Sequence, residues 1–151
     1  MAKKRTDEQR ATFMSAPAYS ATLPAFTVNL LVRDVAASGR FYQDVLGVSV
    51  DYADPDFAAL KAGGTEFMLH ADHTYDSHPW YDALLATKHR GLGAELRLMG
   101  HDADEVERRA REAGAVVLRP AATKGHGIRE VMVEDPDGYV WAVGSLVDAT
   151  P

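Results

Sequence analysis

Glu95 and Arg97 stand two residues apart and alternate with Leu96 and Leu98, so an extended chain places the acid and the base on one face. Where such a face is enclosed, two outcomes are open. The pair forms a structural ion pair, because one of the charges left alone costs several kcal/mol, on the order of a broken buried pair. Otherwise Arg97 holds an anionic or carbonyl group of a ligand, and Glu95 orients that group or acts as a base. An arginine partner lowers a carboxylate's pKa and weakens it as a base, which favours recognition over catalysis. His126, between Gly125 and Gly127 and preceded by Lys124, belongs either to an ordinary turn or to a hinged loop that delivers a titratable ring. Arg129-Glu130 opens the next extended stretch, with one of the two directed to a cavity rim. Trp80 and Tyr81 suit stacking on a flat ligand or a dimer contact, whereas Trp141 is expected in the core. The chain has no cysteine, no glycine-rich phosphate loop and no Gly-x-Ser-x-Gly elbow, and its six histidines are scattered.

The elements that position these residues are read from periodicity and punctuation. Val28, Leu30 and Val32 alternate with Thr27, Asn29 and Leu31 as in a strand. Asp34 stands where a helix N-cap belongs, Ala37, Phe41 and Val45 give one apolar stripe, and Gly47 ends the helix. Strands are predicted over 48–53, 57–62 and 65–71, with turns at Asp54-Pro55-Asp56 and Gly63-Gly64. The same grammar returns after Gly93. Leu96 and Leu98 mark a strand, Asp102 and Glu105 have capping-box spacing, and Val106, Ala110 and Ala113 form a stripe closed by Gly114. Strands over 115–119, 128–134 and 139–146 complete the set, the last two joined through Asp135-Pro136-Asp137-Gly138. An offset of 67 to 68 carries Thr27 to Glu95 and Gly47 to Gly114, while the Gly64 and Gly138 turns lie 74 apart. The chain is therefore predicted as a duplicated α+β unit of two β-α-β-β-β modules.

Residues 1–24 read as an N-terminal arm, mobile or packed on a partner subunit, in which Thr6 and Gln9 cap a short helix through Met14. Module one covers 25–71, a connector 72–93 and module two 94–146, so that 25–146 make a single domain followed by a tail at 147–151. In the connector, Asp76 or Ser77 is expected to cap a helix with Pro79 near its first position, Trp80, Tyr81, Leu84 and Leu85 on its sticky side and Gly91 beyond its end.

At 151 residues, folding buries roughly 70% of the surface an unfolded chain exposes, enough for a core without staples. The formal net charge of −6 offers nucleic acid no general attraction. Lys3, Lys4 and Arg5 are followed at once by Asp7 and Glu8, and no stretch resembles a signal peptide or the roughly 20 apolar residues of a membrane span. A cytoplasmic protein with no nucleic-acid or membrane partner is expected.

Leu31-Val32-Arg33-Asp34, Phe41-Tyr42, Val45-Leu46-Gly47 and Glu134-Asp135-Pro136-Asp137-Gly138-Tyr139 together resemble the vicinal oxygen chelate superfamily, from about Phe26 to Leu146. That group holds glyoxalase I, bleomycin-resistance proteins, extradiol dioxygenases, fosfomycin-resistance enzymes and methylmalonyl-CoA epimerase. The resemblance implies the glyoxalase/bleomycin-resistance/dioxygenase-type curved mixed sheet, with helices on one face and a cavity on the other. Val28, Leu30, Val32, Leu96 and Leu98 then face the helices, and Thr27, Asn29, Glu95 and Arg97 the cavity. The superfamily's metal positions fall on Thr27, Met68, Glu95 and Ala142, of which Glu95 alone is a competent ligand for a divalent ion needing three or four donors. No metal cofactor is therefore expected. The alternative is one divalent transition metal on a displaced site of His70, which shares a strand face with Met68, and Glu95, joined by His73 or His126 from loops. His73, His78, His89 and His101 are otherwise expected in exposed loops.

The resemblance implies a metal-free binding protein of the bleomycin-resistance type, a homodimer that sequesters an aromatic or peptide-like metabolite or antibiotic. Its pocket is expected to use Thr27, Asn29, Met68, His70, Trp80, Tyr81, Glu95, Arg97 and Ala142. The alternatives are a metal-dependent glyoxalase-, lyase- or dioxygenase-like enzyme, and a cofactor-free lyase or isomerase with Glu95 or His126 as base.

Overall fold

Asp34 follows a strand that ends at Val32, and in extended conformation its carboxylate accepts the Ala37 amide at 3.0 Å, starting a helix at Val35. Asp102 does the same in the second half, accepting from Asp104 and Glu105. These two caps open the helices of a repeated pattern. The structure, a computed structural model, describes residues 13–147; the expected cap between Thr6 and Gln9 lies outside them. Its elements are α1 (Ala16–Ser20), β1 (Asn29–Val32), α2 (Val35–Asp44), β2 (Ser49–Ala53), β3 (Phe57–Ala62), β4 (Thr65–Ala71), a 3-10 turn (Asp72–Tyr75), α3 (Tyr81–Ala86), β5 (Leu96–Met99), α4 (Ala103–Glu112), β6 (Val116–Thr123), β7 (Ile128–Glu134) and β8 (Val140–Leu146). Among the described residues no helix is long and apolar enough to cross a membrane.

The strands form two four-stranded mixed sheets of identical order, β1-β4-β3-β2 and β5-β8-β7-β6. In each, the first strand pairs parallel with the last, and the others pair antiparallel. The duplication extends to register: Asn29 lies opposite Met68 as Arg97 lies opposite Ala142. Leu30, Val32 and Leu98 are buried in one core that spans both modules, with Val28 and Leu96 packed at its edge. These are the residues expected to face the helices.

Three expectations are corrected. The strand read as 115–119 continues to Thr123, since it is an edge strand, where Pro120 costs no ladder hydrogen bond, and two register shifts accommodate it. The connector helix starts at Tyr81, with Trp80 at the cap position and no side-chain cap, instead of being capped by Asp76 or Ser77. Successive turns closed by His78 N to Tyr75 O and Tyr81 N to His78 O, both 3.0 Å, take up the residues before it. Finally, the segment from Phe13 to Leu23 packs on its own chain's first sheet. Tyr19 is 8% exposed and clusters with Phe57 and Ala59, flanked by Phe13, Leu23, Tyr52 and Met68.

The two modules are tied by buried polar groups. Tyr42 of α2, fully buried, donates its hydroxyl to Asp135 and accepts from Trp141 Nε1 at 3.3 Å, while its ring meets those of Phe67 and Trp141 edge-on. Asp135 also accepts the Asp137 and Tyr139 amides, each at 2.9 Å. Asp137 accepts from the Arg33 amide (3.1 Å), the Arg33 guanidinium (2.9 Å) and Ser38 Oγ (3.3 Å). Arg90 of the connector, its side chain 2% exposed, forks onto both oxygens of Asp72 at 2.7 and 2.8 Å, donates to Leu31 O, and lies 3.6 Å from Asp137. The connector approaches this turn so closely that a Cβ at Gly138 would lie 2.4 Å from the His89 Cα.

Burial pushes the Asp135 carboxyl up to about 6, against the opposing hydrogen bonds from Tyr42, Tyr139 and Asp137. The folded state therefore holds this proton more tightly than the unfolded chain. Stability from it is present below the unfolded pKa and is lost as pH rises towards about 6, by up to about 3 kcal/mol. In urea titrations the native protein's midpoint should fall relative to that of Asp135→Asn between about pH 4 and 6; a constant difference contradicts this. Replacing Arg90 by Met leaves the Asp72 carboxylate buried without its counter-ion and Asp137 with Arg33 alone. It should cost about 3 kcal/mol or more, read as a lowered urea midpoint at pH 7.

Candidate functional site

Strand alternation sends Asn29, Tyr52, Phe57, Ala59, Met68 and His70 to the face of the first sheet that turns away from the helices, and the register sets Phe57 beside His70 and Ala59 beside Met68. A hollow of about 590 Å³ lies over this face. Phe57, Met68 and His70 form its floor, Tyr75 and His78 one side, and the segment after Phe13 the other. His70 Nδ1 lies 2.7 Å from Asn29 Oδ1, and the Asn29 amide nitrogen donates to the Tyr75 hydroxyl at 2.6 Å. Because the amide nitrogen is the donor to Tyr75, its oxygen accepts from His70. This places a proton on His70 Nδ1. The His70 ring lies 4.9 Å from Phe57 and 5.6 Å from Tyr75; Tyr75 lies 4.5 Å from His78 and stacks on Trp80 at 5.6 Å. At the rim, His73 Nε2 meets Asp56 at 2.8 Å.

Thr27, Glu95 and Arg97 are elsewhere. They line a second crevice, of about 570 Å³, floored by Phe67 and Trp141 between the approaches to β1 and β5. Arg97 donates to Glu95 and to Glu130, each at 2.5 Å. Its two terminal nitrogens are thus held by two carboxylates, and an arriving anion would have to displace one of them. The structural ion pair describes Arg97 better than anion capture does. Arg129 turns outward to Asp104, so Glu130 is the member of that dipeptide on the inner face. Thr27 donates its hydroxyl to Glu66 O at 2.7 Å.

The expected single pocket is therefore divided in this chain. Met68 and His70, with Asn29 bonded to His70, belong to the first hollow, and Thr27, Glu95 and Arg97 to the crevice. Trp80 joins the first set through Tyr75, and Tyr81 opens α3 beside it. Ala142 shares the inner face opposite Arg97 but is 1% exposed. His126 is exposed at a tight hairpin between β6 and β7, closed by Lys124 N to Ile128 O and Gly127 N to Lys124 O, and lines neither cavity. Its expected delivery as a catalytic base is not met. His78 and His89 are exposed as expected, whereas His73 and His101 are partly buried. Tyr75, Phe57 and the arm residues were missed by sequence reasoning. One signal pointed to them: Phe57-Ala58-Ala59-Leu60 is an unbroken apolar run, the mark of a strand covered on both faces.

The donors at the superfamily's metal positions do not fit a divalent ion. Thr27 is bonded to a carbonyl, Met68 offers a thioether, Ala142 has no donor, and Glu95 is tied to Arg97. Among the described residues no group of three or more His, Asp or Glu is placed to hold a metal. His70 and Glu95, the proposed displaced pair, line different cavities.

The chain belongs to the Glyoxalase/Bleomycin resistance protein/Dioxygenase superfamily, which residues 25–143 match. Among solved structures it is similar to a glyoxalase-related enzyme from Fulvimarina pelagi, at 23% identity over 81% of this chain and 87% of that one, with a TM-score of 0.64. It is also similar to lactoylglutathione lyase from Agrobacterium tumefaciens, at 21% identity over 81% and 94%, TM-score 0.57. A third is TioX from Micromonospora sp. ML1, at 21% identity over 85% and 100%, TM-score 0.59. At these identities the likeness is one of fold. No curated protein matches the chain.

The Asn29 clamp makes a spectroscopic prediction. Nitrogen-15 shifts of His70 should show the Nδ1–H tautomer at neutral pH, and Asn29→Ala should shift the ring towards the ordinary tautomer mixture. An unchanged spectrum in the variant contradicts the assignment.

Proposed function

We propose that this protein binds a flat aromatic or peptide-like small molecule, an antibiotic or another metabolite, in the hollow of its first sheet, without a metal ion and without converting it. The observation that carries this reading is the run of Phe57, His70, Tyr75 and His78 rings along one hollow, continued by the Trp80 ring. Aromatic side chains give such a ligand large contact area and offset stacking. The Tyr75 hydroxyl and the edge of the His70 ring supply the few polar groups that orient it. The donor chemistry at the superfamily's metal positions supports binding without a metal, since a family-type chelate there lacks ligands. The fold itself decides nothing between binding and catalysis.

The working form is proposed to be a cytoplasmic homodimer. The exposed Val116 and Leu118 of the edge strand β6, 53% and 47% exposed, support an apolar contact with a second copy. An enzymatic reading rests on a different observation, the Asn29-held His70, whose ring is oriented as a general base requires.

Calorimetric titration with a panel of aromatic and peptide-like antibiotics, followed by mass spectrometry of the recovered compound, separates the two. One intact compound per hollow is expected, with Tyr75→Ala weakening binding about tenfold. Product formation that is lost in His70→Ala would establish the enzyme instead. One tightly held transition metal per chain in protein purified without chelator would overturn the metal-free reading.

A further inference from the structure

The segment from Phe13 to Leu23 forms one wall of the hollow. The hydrogen bonds its residues make are internal: Tyr19 N to Ser15 O, Ala21 N to Pro17 O, Thr22 N to Tyr19 O, Leu23 N to Ser20 O, and the Ser15 and Thr22 side-chain bonds within the same turns. Among the described residues none of its hydrogen bonds or ion pairs reaches the sheet. Among the described residues its seat is apolar, with Phe13 stacked on Tyr52 at 4.1 Å, Tyr19 edge-on to Phe57 at 5.1 Å, and Leu23, Ala59 and Met68 around them. The cluster so formed is separate from the main core. Lifting the segment leaves the core, both sheets and the ties between modules intact. Segments with few apolar contacts and no bonds to their support open at a fraction of the global unfolding free energy.

The seat also contains a flaw. The Tyr19 hydroxyl is buried without a hydrogen-bond partner. A buried hydroxyl without a partner destabilises the state that buries it, here the seated one. The same hydroxyl in an opened segment is hydrated.

We propose that residues 13–23 are a displaceable wall of the ligand hollow. Ligand enters and leaves when this segment unseats, and the unpaired Tyr19 hydroxyl sets how often it does so. The inference rests on the first-sheet hollow being the ligand site. The wall then acts as a gate on rate, and its inner side chains, Phe13 and Tyr19, help select the shape admitted.

The test uses the full chain, the variants Tyr19→Phe and Tyr19→Ser, and anilinonaphthalene sulfonate as a flat fluorescent probe. Amide hydrogen exchange of Tyr19, Ala21, Thr22 and Leu23 should run well ahead of β3 and β4 in the native protein. In Tyr19→Phe it should slow about fivefold or more, the factor carried by the low end of an unpaired hydroxyl's cost. Stopped-flow association and dissociation of the probe should slow by the same factor, leaving the affinity unchanged. Tyr19→Ser should accelerate both. Exchange in the segment that matches β3 and β4, or probe rates indifferent to Tyr19→Phe, overturns the gate. A probe that fails to bind, or whose affinity ignores Tyr75→Ala, overturns the ligand site and the gate's role with it; the exchange result then still tells which of the two failed.

Discussion

The fold depends on burying the Asp135 and Asp137 carboxylates where the two modules meet. A carboxylate removed from water is tolerated only when hydrogen bonds or counter-charges replace its hydration. Here the replacements come from three stretches of chain: Arg33, Ser38 and Tyr42 from the first module, Arg90 from the connector, and the amides of the turn itself. None of these is a strong constraint alone. Together they tie α2 of the first module to the Asp135–Asp137 turn and to Trp141 of the second. The two opposing tendencies at Asp135, desolvation raising its pKa and hydrogen bonds lowering it, show that the network only partly compensates the burial. Placement of the modules is obtained at some cost in stability, and the apolar core around Tyr42, Phe67 and Trp141 supplies what the carboxylates do not.

Fixing that junction leaves both inner faces directed away from the helices, and the two are used differently. On the first, apolar and aromatic side chains demand a cover, and the chain's own N-terminal segment provides one. On the second, Arg97 and its two carboxylates satisfy one another and leave a polar surface that needs no cover. The hollow walled by the N-terminal segment therefore lies on the first.

Much of this was legible in the residues. Asp34 and Asp102 act within three positions of themselves, so both caps are local signals that tertiary structure did not override. The bounds of β3, β4 and β7 agree with the predicted strands because glycine, proline and aspartate turns bracket them. Alternation assigned Leu30, Val32 and Leu98 to the core side for the same reason. It could not show that Glu95 and His70 occupy different cavities, because a strand's period gives the face of a side chain and not the distance between two sheets. Tyr75 escaped because its partner Asn29 is 46 residues away, joined to it by nothing periodic. The seat of Phe13 and Tyr19 is likewise a matter of shape against Tyr52 and Phe57, to which local propensity is blind.

The duplication explains why the chemistry is confined to one module. The register pairs Leu31 with His70 in the first sheet and Met99 with Gly144 at the same place in the second. Gly144 has no room to become a histidine: a Cβ there would lie 2.0 Å from the Arg129 carbonyl oxygen. Where the first module carries an imidazole oriented by Asn29, the second brings two backbones together and spends its equivalent of Asn29, Arg97, on an ion pair. Two copies of one scaffold have thus been driven apart by opposite uses of one strand position. Close approach of β7 and β8 excludes a side chain in one copy, and the hollow under the N-terminal segment admits one in the other. Any ligand recognised by this chain's own residues accordingly meets an asymmetric surface, ring-lined on the first module and ion-paired on the second, so two identical half-sites are ruled out by packing before any ligand is considered.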